Sequence, residues 1–285
     1  MKKILITGAN SYIGTSFENY LKQFEDEYFI DTVDLIDECW KDKSFSGYDV
    51  VFHVAGIAHI KETKDNAYKY YDVNRDLVKD IAEKAKTDNV KQFVFLSSMS
   101  VYGLTKGRIT RSTVPNPTTN YGKSKLEAEH IIASLNDETF KVVVLRPPMV
   151  YGKGCKGNYQ VLRKFSMKLK FFPYVKNERS MLYIENLCEF VRLMIDNEEN
   201  GLFFPQNSEY TDTSEMVRAI ATEHGRKVYL VKGCYWALRF LGLFTKLVNK
   251  AFGSLIYDKG MSGYKQNYCK CSLQDSIKES EKELE

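Results

Sequence analysis

Lys3-Ile4-Leu5-Ile6-Thr7-Gly8-Ala9-Asn10-Ser11-Tyr12-Ile13-Gly14 is the stretch whose reading decides the fold. Its apolar run reads as a short buried strand, and the pattern from Tyr12 to Phe24 has helical spacing. Between them Gly8 and Gly14 permit a tight turn and close backbone approach, while the helix N-terminus presents free amides to an anion such as a pyrophosphate. The spacing is Gly-x-x-Ser-x-x-Gly, with Ser11 standing where a middle glycine is usual. A glycine loop alone says little. Directly after an N-terminal strand it points to a dinucleotide site built from Gly8, Asn10, Ser11, Tyr12, Ile13 and Gly14.

The alternation continues outward from this unit. Tyr28–Val33, Asp49–Val54, Gln92–Leu96 and Val142–Leu145 read as strands, with helices over Asn66–Lys86 and Lys123–Leu135. Near-continuous apolar strands separated by helices give an α/β fold with a parallel sheet covered on both faces. Residues 34–46 are short for a full unit, so one strand, around Cys39-Trp40, is expected to be abbreviated. Asp34 closes the second strand, where a carboxylate grips the ribose hydroxyls of NAD and repels the extra phosphate of NADP. Asp31, inside the apolar run, is the lesser candidate, and a strand-end aspartate also serves as a plain turn residue.

After Val150 the pattern changes. A glycine loop over 152–158 precedes a helix over Tyr159–Leu169, an extended segment over Arg179–Glu185 and a helix over Asn186–Ile195. Leu202-Phe203-Phe204 is a strand candidate returning to the sheet, and Asp212 with Glu215 resembles a capping box opening a helix that ends near His224. The chain thus divides into a nucleotide-binding domain over 1–150, with a strand near 202–207 returning to it, and a smaller substrate domain over 151–285. The charged run Lys278–Glu285 reads as a frayed helix end.

Composition sets limits. With 285 residues, 44% of them apolar and 27% charged, the chain is an ordinary globular protein. Its 41 cationic residues are interspersed with 37 anionic ones for a net charge of +4, which gives no nucleic-acid stripe. Six scattered cysteines and four histidines make no zinc site, and Cys269-x-Cys271 reads as two strand neighbours. Met1-Lys2-Lys3 runs into a strand without a signal peptide, so the thiols suit the reducing cytoplasm. The stretch Val231–Phe252 carries Tyr235, Trp236, Phe240 and Phe244 on an apolar side, interrupted by Arg239, Lys246 and Lys250. Those charges rule against a spanning helix and leave a packed helix or peripheral contact with the inner face of a membrane.

The chemistry gathers at Tyr121-Gly122-Lys123-Ser124-Lys125. Residues four apart share a helix face, so the phenol and the ammonium are expected to point into one space. A nearby cation lowers a tyrosine's pKa and makes the phenol a usable base. His53 and His59 look catalytic by type, but His53 sits in a buried strand and reads as a hydrogen-bonded structural residue.

Taken in order, Gly8–Gly14, His53-Val54-Ala55-Gly56, Asn74, Leu96-Ser97-Ser98-Met99-Ser100-Val101-Tyr102-Gly103, Tyr121–Lys125 and Leu145-Arg146-Pro147-Pro148 form a joint pattern. It resembles the extended short-chain dehydrogenase/reductase family, in its nucleotide-sugar epimerase/dehydratase branch. The resemblance implies a Rossmann-type doubly wound parallel sheet with a smaller C-terminal substrate domain. It implies NAD as cofactor, with Ala55, Gly56, Asn74, Tyr121, Lys125 and Pro148 joining the glycine loop and Asp34. Ser98, Tyr121 and Lys125 become the catalytic set, and Ser98, Met99, Asn158 and Arg179 the substrate contacts, with Arg179 on the diphosphate of a UDP-linked sugar. Dehydratases of the branch carry an acid just after the hydroxyl residue, whereas Met99 and Ser100 follow here, which argues against a 4,6-dehydratase. Met149 departs from the branch, which often has an asparagine there.

The implied reaction is 4-epimerisation of a UDP-hexose or UDP-N-acetylhexosamine through a transient 4-keto sugar. Alternatives are a 4-keto-sugar nucleotide reductase, a 4-epimerase of a polyprenyl-diphosphate-linked N-acetylhexosamine, and an NAD-binding regulator without turnover. A homodimer through the helices Asn66–Lys86 and Lys123–Leu135 is the implied assembly.

Overall fold

The computed structural model describes residues 1–58, 62–233 and 252–282. His59 and most of the 231–252 stretch lie outside these residues. The chain forms two compact units, one of residues 1–103, 114–147 and 187–205, the other of residues 104–113, 148–186 and 206–285.

The first unit is built on β1 (Lys2–Thr7), β2 (Tyr28–Val33), β3 (Val50–His53), β4 (Gln92–Leu96), β5 (Lys141–Leu145) and β6 (Gly201–Phe203). All pair in parallel, in the order β6-β5-β4-β3-β1-β2. Every residue of β3 and β4 is buried, as a sheet covered on both faces requires. On one face Leu5, Val51, Phe93, Val142 and Val144 pack against Val78, Ile81 and Ala85 of α3 (Leu77–Thr87) and Ile132 of α4 (Asn120–Ala133). On the other, Phe17 of α1 (Tyr12–Leu21) meets Phe52 edge to face at 5.0 Å. Phe190 of α6 (Ile184–Asp196) meets Phe203 of β6 at 6.0 Å. The short Leu202 segment therefore becomes a sheet strand, Gly201 lying opposite Val143.

Because β2 lies on one side of β1 and β3 on the other, the strand order reverses at β1. The crevice at the carboxyl ends of the strands at such a reversal is where parallel α/β sheets bind ligands.

Several expectations change. No strand forms near Cys39; Glu38–Lys41 is a 3₁₀ turn, capped when the Asp37 carboxylate accepts from Cys39 N at 3.2 Å, and it buries Trp40 in the core. The expected helix Asn66–Lys86 is interrupted. It runs as α2 (Ala67–Tyr71), a π turn over Asp72–Asp76, and α3. Such a turn inserts one residue into the helical ladder and often marks a functional position. Here it holds Asn74, which is fully buried.

In the second unit the extended segment is shorter than expected. Met181–Tyr183 pairs in parallel with Met149–Tyr151, and α6 already begins at Ile184. Cys269 and Cys271 are not strand neighbours but lie in irregular chain, Cys269 N donating to Asn267 Oδ1. The unit's helices are α5 (Asn158–Lys168), α7 (Thr213–Glu223), opened by Asp212, whose carboxylate accepts from Ser214 N and Glu215 N, and α8 (Leu273–Glu281). The C-terminal run is not frayed as far as Glu281. That carboxylate is buried and accepts from Tyr159 Oη, with Arg163 Nε and His224 Nε2 each at 2.7 Å.

Candidate active site

The loop after β1 folds back on the neighbouring strand, Gly8 N and Ala9 N both donating to Val33 O. Gly8 sits at φ +107, and a methyl group added there would stand 2.8 Å from Ala55 N. Glycine is required on both counts, because the conformation is strained for other residues and the loop after β3 leaves no room. Asn10 is also left-handed, at φ 61, a conformation asparagine tolerates better than most. Ser11 caps α1, its hydroxyl accepting from Gly14 N, and a methyl on Gly14 would meet that hydroxyl at 2.7 Å. The serine in the middle position thus holds the helix start and leaves a bare backbone cradle around it. Tyr12 and Ile13 form the first turn above that cradle.

At the end of β2 the two aspartates separate. Asp31 is spent on structure, taking Lys43 Nζ at 2.6 Å and Tyr48 Oη at 2.5 Å, and these donors hold its carboxyl below the usual range against the opposing effect of burial. Asp34 is exposed, its Oδ1 accepting from Ile36 N, and no described cation bridges it. A bare cradle at Gly8–Gly14 with an open carboxylate one strand away fits a dinucleotide, and the uncompensated charge favours NAD over NADP.

Asn74 uses its amide inward. Oδ1 accepts from Ile57 N at 2.8 Å and Nδ2 donates to Ile57 O at 3.0 Å and toward Ser124 Oγ at 3.4 Å, pinning the Ala55-Gly56-Ile57 loop. A methyl on Gly56 would stand 3.0 Å from Asn74 Oδ1 and 3.2 Å from Lys125 Nζ, so loop, π turn and α4 converge on one point.

Lys125 lies on the first turns of α4 with Tyr121 and is only 5% exposed. Its Nζ donates to Leu96 O at 3.0 Å and sits 4.6 Å from the centre of the Phe95 ring. Burial lowers its pKa from 10.5 to about 8, partly opposed by Glu129 one turn on. That drop corresponds to about 3 kcal/mol of destabilisation at neutral pH, and the bond to Leu96 returns about 1. The cost is fully present below pH 8 and is relieved as pH rises toward the unfolded value near 10.5. Lys125→Met is therefore expected to raise stability by about 2 kcal/mol at pH 7 in urea titration, with the gain shrinking above pH 8. Loss of stability in that variant would overturn the reading of Lys125 as a strained, functional ammonium.

The Tyr121 phenol behaves otherwise than the helix spacing predicts. Its pKa is raised, chiefly by burial and further by the neighbouring Tyr70, while the Ser98 hydroxyl lowers it in part. The hydrogen bond that Lys125 Nζ makes goes to Leu96 O. Ser98 starts the 3₁₀ turn Met99–Tyr102 and accepts from Ser100 N at 3.1 Å and Ser100 Oγ at 3.0 Å.

Two glycines let that turn and α4 meet. A methyl on Gly122 would stand 2.7 Å from Ser100 O, and one on Gly103, at φ +67, only 2.1 Å from Asn116 O. Beneath them lies a buried network that sequence reading missed. Arg146 Nη2 reaches Glu129 Oε2 at 2.5 Å and Arg146 Nη1 donates to Tyr102 Oη at 2.9 Å, while Ser97 Oγ donates to Glu129. The Leu145-Arg146-Pro147 and Val101-Tyr102-Gly103 motifs are thereby two ends of one structure. Arg146 was visible as part of a motif; nothing local marked Glu129 as its partner.

His53 is structural, as its strand position suggested. Nδ1 lies 2.8 Å from Thr7 Oγ1 and burial, with the charge of Lys125, lowers its pKa to about 3. In the second unit Arg179 is half-buried, its Nη1 donating to Gly253 O at 2.8 Å, and burial lowers its pKa. Asn158 is exposed at the start of α5, Met99 is half-buried beside Ser98 and Pro148 is buried. Among the described residues no cluster of His, Cys, Asp or Glu suits a metal, and no helix is long and apolar enough to cross a membrane.

Comparison with known proteins agrees with this geometry. A family model described as the NAD dependent epimerase/dehydratase family matches residues 4–203. The chain is 29% identical to a UDP-glucose 4-epimerase of Vibrio cholerae over 90% of its own length and 87% of that protein. It is 26% identical to an N-acetyl-α-D-glucosaminyl-diphospho-ditrans,octacis-undecaprenol 4-epimerase of Escherichia coli O157:H7, over 70% of its length and 64% of that protein. A UDP-glucuronic acid 4-epimerase of Bacillus cereus in complex with NAD shares the fold, with a TM-score of 0.74 at 19% identity and coverage of 98% and 97%. So does a dTDP-4-dehydrorhamnose reductase of Clostridium acetobutylicum, with a TM-score of 0.76 at 20% identity and 98% of each chain.

Proposed function

The chain belongs to the NAD-dependent epimerase/dehydratase family, and we propose that it interconverts the C4 epimers of a UDP-hexose or UDP-N-acetylhexosamine. The observation that carries this reading is the Tyr121 phenol with the Ser98 hydroxyl as the neighbour that lowers its pKa in part, held in the same unit as the Gly8–Gly14 cradle, Asp34 and the buried Lys125. Gly8–Gly14, Asp34, Ala55 and Gly56 would hold NAD, which when bound supplies a reversible hydride acceptor with a positively charged ring. Tyr121 accepts the proton of the sugar's C4 hydroxyl, and Ser98 hydrogen-bonds the same oxygen and orients it. Lys125, fixed on Leu96 O, places a positive charge by the Gly56 loop and keeps α4 in register with it. The 4-keto sugar turns within the site and Tyr121 returns the proton when the opposite C4 configuration forms.

The absence of an acid after Ser98, where Ser100 instead donates to the serine, favours epimerisation over loss of water. In the second unit, Arg179 has a carbonyl as its hydrogen-bonded partner and no carboxylate within salt-bridge distance among the described residues, which suits a diphosphate. A 4-keto-sugar reductase is the second reading, and the open Asp34 weighs against it where NADPH is the reductant. The likeness to an undecaprenol-linked sugar epimerase supports a lipid-diphosphate carrier as a third.

Incubation with catalytic NAD and UDP-glucose or UDP-N-acetylglucosamine is expected to yield the C4 epimer without net change in cofactor. No epimer from any UDP-hexose, with stoichiometric loss of NADH on a 4-keto sugar, would replace the epimerase by the reductase.

A further inference from the structure

Charge is not interspersed throughout the chain. Residues 153–177 carry seven Lys or Arg and no Asp or Glu, and residues 224–233 carry three and none. The fold of the second unit joins these segments, since Phe171–Pro173 of the first pairs in parallel with Tyr229–Val231 of the second. Alternation along the pair points Phe172 inward and leaves Phe171 60%, Tyr229 51% and Val231 39% exposed, with the Phe171 and Tyr229 rings 5.8 Å apart. The preceding helix continues the pattern. Tyr159, Leu162 and Ser166 of α5 are buried, whereas Val161, Lys164, Phe165 and Lys168 share the outer stripe and lead into exposed Leu169 and Lys170.

From this geometry we infer that α5 and the Phe171/Tyr229 strand pair form a docking face for an anionic lipid surface. The apolar side chains enter the interface and the surrounding lysines meet the headgroups. A contact between two copies of this face is disfavoured because it would bring cations against cations. A nucleic acid is disfavoured because aliphatic Val161, Leu169 and Val231 would be desolvated against phosphate. The inference rests on neither the sugar nor the epimerase reading.

The test is sedimentation of the full chain with vesicles of phosphatidylcholine alone or with roughly one-third phosphatidylglycerol, at low and high salt. The chain is expected to bind the anionic vesicles only, and less at high salt. Each lysine near such a surface is worth about fivefold, so the triple variant Lys164→Glu/Lys168→Glu/Lys170→Glu, which removes three cations and adds three anions, should bind at least about 100-fold more weakly. Phe171→Ser/Tyr229→Ser should weaken binding at both salts, and unchanged thermal midpoints would show that these variants fold. A wild type left in the supernatant with anionic vesicles at low salt would overturn the face. So would a charge-reversed variant that sediments like the wild type, or tighter binding to duplex DNA than to vesicles.

Discussion

Tyr121→Phe is expected to fold and bind NAD like the wild type while losing about 10³-fold in kcat, the usual worth of a positioned general base. The substitution removes one oxygen and keeps the ring, which packs against Tyr70 with centroids 6.4 Å apart. The described hydrogen bonds of the neighbouring Ser98 come from Ser100 and do not depend on that oxygen. Ser98→Ala should cost less, because it removes the orienting partner and leaves the base. Steady-state kinetics beside a fluorescence titration of NADH separates the two effects. Activity of Tyr121→Phe within tenfold of wild type would mean that the proton leaves by another route. Since burial raises the phenol's pKa, the resting protein holds it protonated at neutral pH, and the charge that activates it has to arrive with the ligands.

The second large effect falls on stability. Glu129 and Arg146 are 5% and 6% exposed, and removing one partner leaves the other charge buried without compensation. Arg146→Met is expected to cost about 3–5 kcal/mol and to lower Tm by about 10 °C. Removing both, as Glu129→Leu/Arg146→Met, should recover most of that loss, because a well-packed apolar pair avoids the desolvation cost of the ions. Thermal and urea unfolding of the single and double variants checks it, and a double variant as unstable as the sum of the singles would refute it. Kinetics give an independent reading. The network touches Ser97 and Tyr102 on either side of the Ser98 turn, so the double variant should be stable yet slower if the ion pair sets the position of Ser98.

Much of the first unit can be read from the chain in order. β2 and β4 have the expected bounds, and Asp212 caps the helix expected of it. These features depend on neighbours a few residues away, through strand alternation, helical spacing and turn chemistry, so a linear sequence displays them. The glycines at 8 and 14 belong to the same class. Gly14 meets Ser11 and Ile6 within its own strand-turn-helix unit, whereas Val54 beside Gly14 and Ala55 beside Gly8 are supplied by the loop after β3.

What escaped sequence reading depends on distant residues or on burial. The π turn at Asp72–Asp76 carries Asn74, whose amide bonds Ile57, seventeen positions earlier in the chain. Asp31 and Asp34 look alike on paper, and only the fold brings Lys43 and Tyr48 to the first and leaves the second open. The raised pKa of the Tyr121 phenol, where helix spacing with Lys125 predicts a lowered one, likewise comes from burial. Helix spacing states which face the two side chains share, but the ammonium's direction is set by Leu96 O, twenty-nine residues away.

Element order, the parallel sheet, the dinucleotide loop and the shared helix face of Tyr121 and Lys125 are thus matters of local spacing, legible in the linear chain, whereas Ser98 was marked only by the family resemblance. Which charges meet, which aspartate is spent, and whether the phenol's pKa rises or falls were decided only when the chain closed. The reason is physical: pairing and desolvation are properties of the enclosed space around a group, and that space is lined by residues the sequence places far apart.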